Sequence, residues 1–356
     1  MVRLPFRLQL NPAALAATLA IAGTAGLVAW AAHLPLGLLL GALGATATCA
    51  IAGWRPFGQP LHLPGWLRTS FVPVIGVSTG GAFSPEIAAQ AGEWLASLAA
   101  LVLFIPLIHA AGFLVYRMGG LPPAEAFFGA APGGLIETVD LAHRSGADEA
   151  MVTVLQFLRL IVTIVAVPMI FLFLTGHAVG SAGGAQMAGA GPLSPADVLV
   201  LAACGIGGFW AAMRLHLPAA QMIGPLICSA AAHGLGLVHG VPPAWLVGLT
   251  QVILGAGLGV RFLGADHAML RRASGLAILA TGLSLAGAAG AALLLHALVG
   301  EDITAVFLAF APGGLAEMSL IALSLQTSIA FVTVHHVLRI VLAVSLAKGG
   351  ARWLLN

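Results

Sequence analysis

The chain has 356 residues, 60% of them hydrophobic, and only 14 Lys and Arg against 12 Asp and Glu. A soluble domain carries about a quarter charged residues; at 7% charged, this chain cannot cover a water-facing surface and reads as a polytopic membrane protein. Runs of about 20 apolar residues fit helical spans, and the alternating ten-residue strands of a membrane barrel are absent. No basic cluster supports nucleic-acid binding.

The opening stretch, MVRLPFRLQLNPAALAATLAIAG, has the layout of a signal peptide, but its apolar run is too long for one. Its end, WAAHLP from Trp30, returns as WAAMRLHLP from Trp210, so we keep it as part of a repeated unit. Hydropathy then predicts spans over 13–32, 34–53, 68–84, 93–116 and 149–174, and again over 196–214, 217–237, 243–262, 273–298 and 328–347. The first unit covers 1–176, an uncharged small-residue linker 177–195, and the second unit 196–356. IGVSTGGAF from Ile75 matches LGAGLGVRF from Leu254, and the Gly76/Gly80 and Gly255/Gly259 spacings favour close helix packing. Cys49, Cys204 and Cys228 lack metal-ligand spacing and read as small packing residues; His109 reads as a core histidine.

Between the fourth and fifth span of each unit lies a broken segment, FFGAAPGGLIETVDLAH and FLAFAPGGLAEMSLIAL. A helix cannot run through Pro132-Gly133-Gly134 or Pro312-Gly313-Gly314, since proline lacks a donor and glycine lacks side-chain restraint. The expected form is a helix from about Pro123, a sharp turn, and a second helix from about Leu135. If both segments dip in and return, Arg3, Arg7, Arg55, Arg68, Arg117, Arg144, Arg214, Arg261, Arg271, Arg272, Lys348 and Arg352 share one side, which is then cytoplasmic. Glu86, Glu93, Glu301 and Asp302 fall on the other. This re-entrant reading gives five spans per unit. An odd number inverts the second unit, so the expected fold is all-α: about ten transmembrane helices and two broken-helix hairpins in two inverted repeats. Both termini are then cytoplasmic.

Candidate site residues follow from buried charge. Glu137 and Glu317 stand just after the breaks; Arg159 and Arg339 stand midway along the fifth spans, where an unpaired charge costs roughly 3 kcal/mol. The expected pairs are Glu137 with Arg159 and Glu317 with Arg339, either as static staples or as part of a solute site. Thr153, Gln156 and Arg159 share one helix face, as do Thr333, His336 and Arg339, and His336 is a candidate proton carrier.

The two APGG sentences, together with TVLQFLRL, VHHVLRI and LGAGLGVRF, resemble the AbrB family of bacterial inner-membrane proteins over nearly the full length. Members carry labels as ammonia monooxygenases, as regulators of gene expression, and as permeases. The resemblance implies a bacterial inner-membrane location. The residues themselves favour a secondary transporter of a small polar or anionic solute, coupled to a proton or cation or uncoupled. A membrane-embedded regulator acting through a partner is the alternative; a monooxygenase is disfavoured because no metal-ligand cluster stands out, and no cofactor is expected. The expected partners are the lipid bilayer and a small solute or ion. Homo-oligomer formation stays open.

Overall fold

A computed structural model describes residues 12–83, 87, 90–176, 193–325 and 327–355. The positions Arg3, Arg7 and Glu86, most of the linker (177–192) and the side chain of Arg352 lie outside the described residues. The first half contributes α1 (Pro12–Ala31), α2 (Gly37–Ile51), α3 (Gly65–Gly80), α4 (Leu95–Met118), the short pair α5 (Pro123–Gly129) and α6 (Leu135–Arg144), and α7 (Glu149–Thr175). The second contributes α8 (Pro195–Arg214), α9 (Ala220–Gly234), α10 (Ala244–Gly259), α11 (His267–Val299), the short pair α12 (Ile303–Phe310) and α13 (Leu315–Ser324), and α14 (Ile329–Leu355). No strand occurs among the described residues. The protein is an all-α polytopic membrane protein.

Among the described residues seven helices are long and apolar enough to cross a bilayer: α1, α4, α7, α8, α10 (with the short turn that follows it), α11 and α14. The predicted spans over 34–53, 68–84 and 217–237 appear as shorter helices of 15 or 16 residues. For α2 and α9 the cause is local. Each starts after a His-Leu-Pro turn whose last residue, Leu36 or Ala219, is in the left-handed region (φ 47° and 49°), which cuts off the first helical turn. Elsewhere the helix starts carry ordinary signals. Asp148, Asp266 and Asp302 accept from free backbone amides of α7, α11 and α12, and Ser194 with Asp197 forms a capping box on α8.

Helix directions establish the inversion. A Cβ added at Gly119 would meet Leu276, and one at Gly287 would meet Ile108, so α4 and α11, counterparts in the two halves, run antiparallel. Gly257 approaches Leu63 and Arg68 while Gly81 approaches Val241, so the third helices α3 and α10 are also antiparallel. The glycine spacings serve close packing, as the sequence suggests. A Cβ added at Gly76 or Gly80 would come within 2.6 or 2.7 Å of the Met222 or Leu226 carbonyl oxygen on α9. Gly255 and Gly259 pack on α2, where a Cβ added at Gly259 would come within 2.6 Å of the Ala47 amide nitrogen. The three cysteines are free, and His109 packs its ring on Phe127 with centroids 4.6 Å apart.

Two hydrogen bonds make the hairpins re-entrant. Glu125, at the start of α5, accepts from the Asp148 amide at the start of α7 (3.0 Å). Asp302, capping α12, accepts from Thr327 just before α14 (2.7 Å). Each broken segment therefore returns to the side it left. Ten residues of helix reach about 15 Å, half of a 30 Å hydrocarbon layer.

Packing divides the helices into two bodies. A frame holds α1, α2, α3, α8, α9 and α10; a core holds α4 through α7 and α11 through α14. The fourth helices belong with the hairpins, through α4 against α5, α11 and α14, and α11 against α7 and α12. Core meets frame chiefly where α13 and α14 lie on α3. Charge is polarised end to end along α11: Arg272 at its start reaches the carbonyls of Gly119 and Gly120 (3.1 and 3.0 Å). Beyond its other end, in the loop to α12, burial and then the nearby Glu93 and Asp302 push the Glu301 carboxyl above its ordinary value, against a hydrogen bond from Ser97 that lowers it.

Candidate functional site

At each break, the first half-helix ends with carbonyls that have no next turn to accept from. In lipid no water can serve them. The fifth helix of the same unit supplies the donors. Gln156 Nε2 donates to Phe128 O (2.7 Å) and to Ala131 O (3.2 Å), and Arg159 Nη1 donates to Ala131 O. In the second unit His336 Nε2 donates to Leu308 O (2.9 Å), and Arg339 donates through Nη1 to Ala311 O and through Nη2 to Gly313 O. The matched donors and acceptors are 28 residues apart in both units. These side chains are buried.

The expected Glu137–Arg159 and Glu317–Arg339 ion pairs do not form. The ion pairs among the described residues are His143 with Glu149 (3.3 Å) and Asp140 with Arg144 (2.8 Å), both at the exposed end of α6. The physical reason is that stranded carbonyls lie nearer the guanidinium groups than the carboxylates do, and the carboxylates have their own work. Each glutamate is the third residue of its half-helix and folds back over the glycine before it: Glu137 over Gly134, Glu317 over Gly314. That is the position from which a carboxylate serves a helix start.

The two breaks are not copies. Gly134 is left-handed (φ 64°, ψ 49°), whereas Gly314 is extended (φ −76°, ψ 148°). Thr138 Oγ1 donates to Gly133 O (3.2 Å), the role that Arg339 takes toward Gly313 O. Thr333 is buried and pairs with Ser319 (3.3 Å), while Thr153 is half-buried.

Between the two breaks lies a cavity of about 210 Å³. It brings together Gly133, Gly134 and Glu137 of one hairpin, Gly313, Gly314 and Glu317 of the other, and both Arg159 and Arg339. Pro132 and Pro312 are buried at the turns, and Gln156 and His336 sit behind the breaks, where they satisfy carbonyls; these four are not among the cavity's lining residues. Arg68 and Arg261 complete its charged lining. Sequence reasoning placed both on the cytoplasmic side, at the ends of predicted spans, and in no site. They are not repeat counterparts, and only the antiparallel run of α3 and α10 brings the start of one beside the end of the other. A period-180 alignment therefore could not pair them; a topology drawing with the inverted third helices side by side could.

The cavity is one-sided. The frame contributes the start of α3 (Arg68, Val72), the start of α9 (Ala219, Gln221, Met222) and the end of α10 (Leu254, Leu258, Arg261). The repeat-equivalent ends of α10, α2 and α3 are absent from the lining. Arg261 is exposed at the mouth, its guanidinium 5.3 Å from the Phe157 ring centre. Two larger grooves, of about 460 and 690 Å³, flank the frame, but apart from Thr69 and Ser70 in the smaller one their lining is apolar, and no charged side chain is part of it. Charge, not size, picks out the central cavity. Among the described residues no three His, Cys, Asp or Glu side chains converge.

Comparison with known proteins supplies the family. A Bacillus subtilis (strain 168) protein, "Uncharacterized protein YhjN", is 26% identical over 355 residues, covering 92% of this chain and 90% of its own. An Escherichia coli (strain K12) protein, "Putative regulator AbrB", is 27% identical over 322 residues, covering 87% of each. The family profile described as "Transition state regulatory protein AbrB" matches residues 38–355. With the match running from α2 through α14, across both hairpins and both capping arginines, the chain belongs to the AbrB family.

Proposed function

We propose that this protein is a secondary transporter of a small anionic solute in the bacterial inner membrane, working by alternating access. The observation that carries the reading is the polar cavity held between two oppositely entering helix breaks, which four arginines and two glutamates line. A water-filled polar site at the meeting of broken half-helices is the usual binding site of inverted-repeat transporters. The one-sided lining supports alternation: a frame with internal symmetry has an equivalent set of helix ends available on the other side. Exchanging the two sets would move the core body past the frame and carry the cavity across.

Orientation follows from charge. Arg117, Arg144, Arg214, Arg261, Arg271 and Arg272 close helices on, or open them from, the side of the cavity mouth. By the positive-inside rule that side is cytoplasmic, with both termini. The proposal includes no chemical change to the solute. A coupling proton or cation would meet Glu137 and Glu317.

The test is flux. Purified protein in liposomes is expected to give saturable counterflow of at least one member of a panel of small anions. Arg159→Gln is expected to reduce that flux at least tenfold, since a tenfold loss is about 1.4 kcal/mol and a buried cation contributes more than that to holding an anion. Absence of flux for every anion and cation tried would end the transporter reading. It would then favour the regulator reading that the printed description of the Escherichia coli relative suggests.

A further inference from the structure

Formal charge in the cavity does not cancel. Arg68, Arg159, Arg261 and Arg339 give +4, and Glu137 with Glu317 give −2, so +2 remains. Two of the arginines are more than nine-tenths buried, Arg159 at 7% exposed and Arg339 at 2%. Each turns Nη donors to the breaks and keeps an Nε–H with no partner among the described residues. The amides that open α6 and α13 add to the same field: the intrahelical bonds start only at Thr138 and Met318, which leaves the amides before them without an intrahelical acceptor. Two cations in excess, unpaired N–H groups and two positive helix ends leave a site that is unfinished without negative charge.

We propose that the cavity is selective for a compact dianion with oxoanion oxygens, a short dicarboxylate or an inorganic oxoanion. Arg68 and Arg261 are the specificity-determining residues. The proposal rests on the reading of the cavity as a solute site. Arg159 and Arg339 are tied to the breaks and supply one fixed half of the charge. Arg68 and Arg261 come from the frame, on α3 and just after α10, and have no such duty. A ligand bearing one charge leaves one cation of the four uncompensated; a ligand bearing two leaves none. About 210 Å³ is the space of on the order of seven waters at about 30 Å³ each, room for a compact anion of a few heavy atoms.

The experiment reads binding apart from flux. The purified full-length chain is melted in detergent at fixed ionic strength with sulfate, succinate, acetate or nitrate as the probe. Sulfate or succinate is expected to raise the melting midpoint saturably, with half-effect at a concentration roughly tenfold or more below that of either monoanion. Arg68→Gln and Arg261→Gln, which bring the cavity to +1, are expected to erase that preference. Glu137→Gln, which brings it to +3, is expected to sharpen it; opposite signs from opposite charge changes are not what mere damage to the fold gives. Equal responses to monoanions and dianions, or an unchanged preference in both arginine variants, would overturn the proposal. Saturable dianion binding without flux would leave it standing and overturn only the transport reading. Flux that treats monoanions and dianions alike would do the reverse.

Discussion

Arg339→Ala is expected to be among the most damaging single changes in the chain, costing about 3 kcal/mol of stability and the whole of any transport. Its two Nη groups hold Ala311 O and Gly313 O at the second break. Truncation leaves the carbonyls of two buried residues without that donor, at about 1–3 kcal/mol each. Relief from burying the guanidinium offsets part of that. Arg159→Ala should cost less, because Ala131 O keeps Gln156 Nε2 as a donor at 3.2 Å. Lysine at 339 keeps the charge but is a point donor where a fork is needed, so it should fall between. Chemical or thermal denaturation of the three variants in detergent checks the order. Equal stability of Arg339→Ala and the parent protein would mean that the guanidinium does not hold the break.

The second large effect is expected at Gly134. Its φ of 64° excludes a β-branched residue, and an added Cβ would run into Val344 of α14. Gly134→Val should therefore cost roughly 3 kcal/mol, from left-handed strain of about 1–2 kcal/mol and the displaced contact. Gly134→Asn should cost less, since asparagine visits that region. Gly314 is the control. Its backbone suits any residue, but a Cβ there would displace the Glu317 carboxylate. Gly314→Ala should thus cost only about 1 kcal/mol, the worth of one cap, and asparagine should not outperform alanine. Melting curves of the four variants decide it; valine tolerated at 134 would contradict the left-handed turn.

The breaks were readable because proline followed by two glycines leaves a chain little choice, and their re-entrance was readable because loop arginines would otherwise change sides. The partners of the buried charges were not. From spacing alone, Arg159 can reach either Glu137 or the Ala131 carbonyl. What decides is which acceptor the helix end has stranded, and a string of residues does not display stranded carbonyls. The same holds for His336. Its face was correct, but its ring is committed to Leu308 O at 2.9 Å, so a carbonyl cap stands where the sequence suggested a proton carrier. Arg68 and Arg261 were hidden for another reason: their meeting depends on two antiparallel helices from different halves, a long-range fact with no local signature. The shortened α2 and α9 were missed because hydropathy does not see a left-handed Leu36 or Ala219.

The split of the cavity's charge between the two bodies has an electrical consequence. Arg159 and Arg339 travel with the core and are offset there by Glu137 and Glu317, whereas Arg68 and Arg261 stay with the frame, so an empty core that swings across the bilayer displaces almost no charge. The same swing with a dianion aboard carries two negative charges through the membrane potential, at up to about 2.3 kcal/mol per charge per 100 mV. Voltage should therefore govern the loaded step, so net efflux from liposomes should respond to an imposed potassium diffusion potential, while one-for-one exchange moves no net charge.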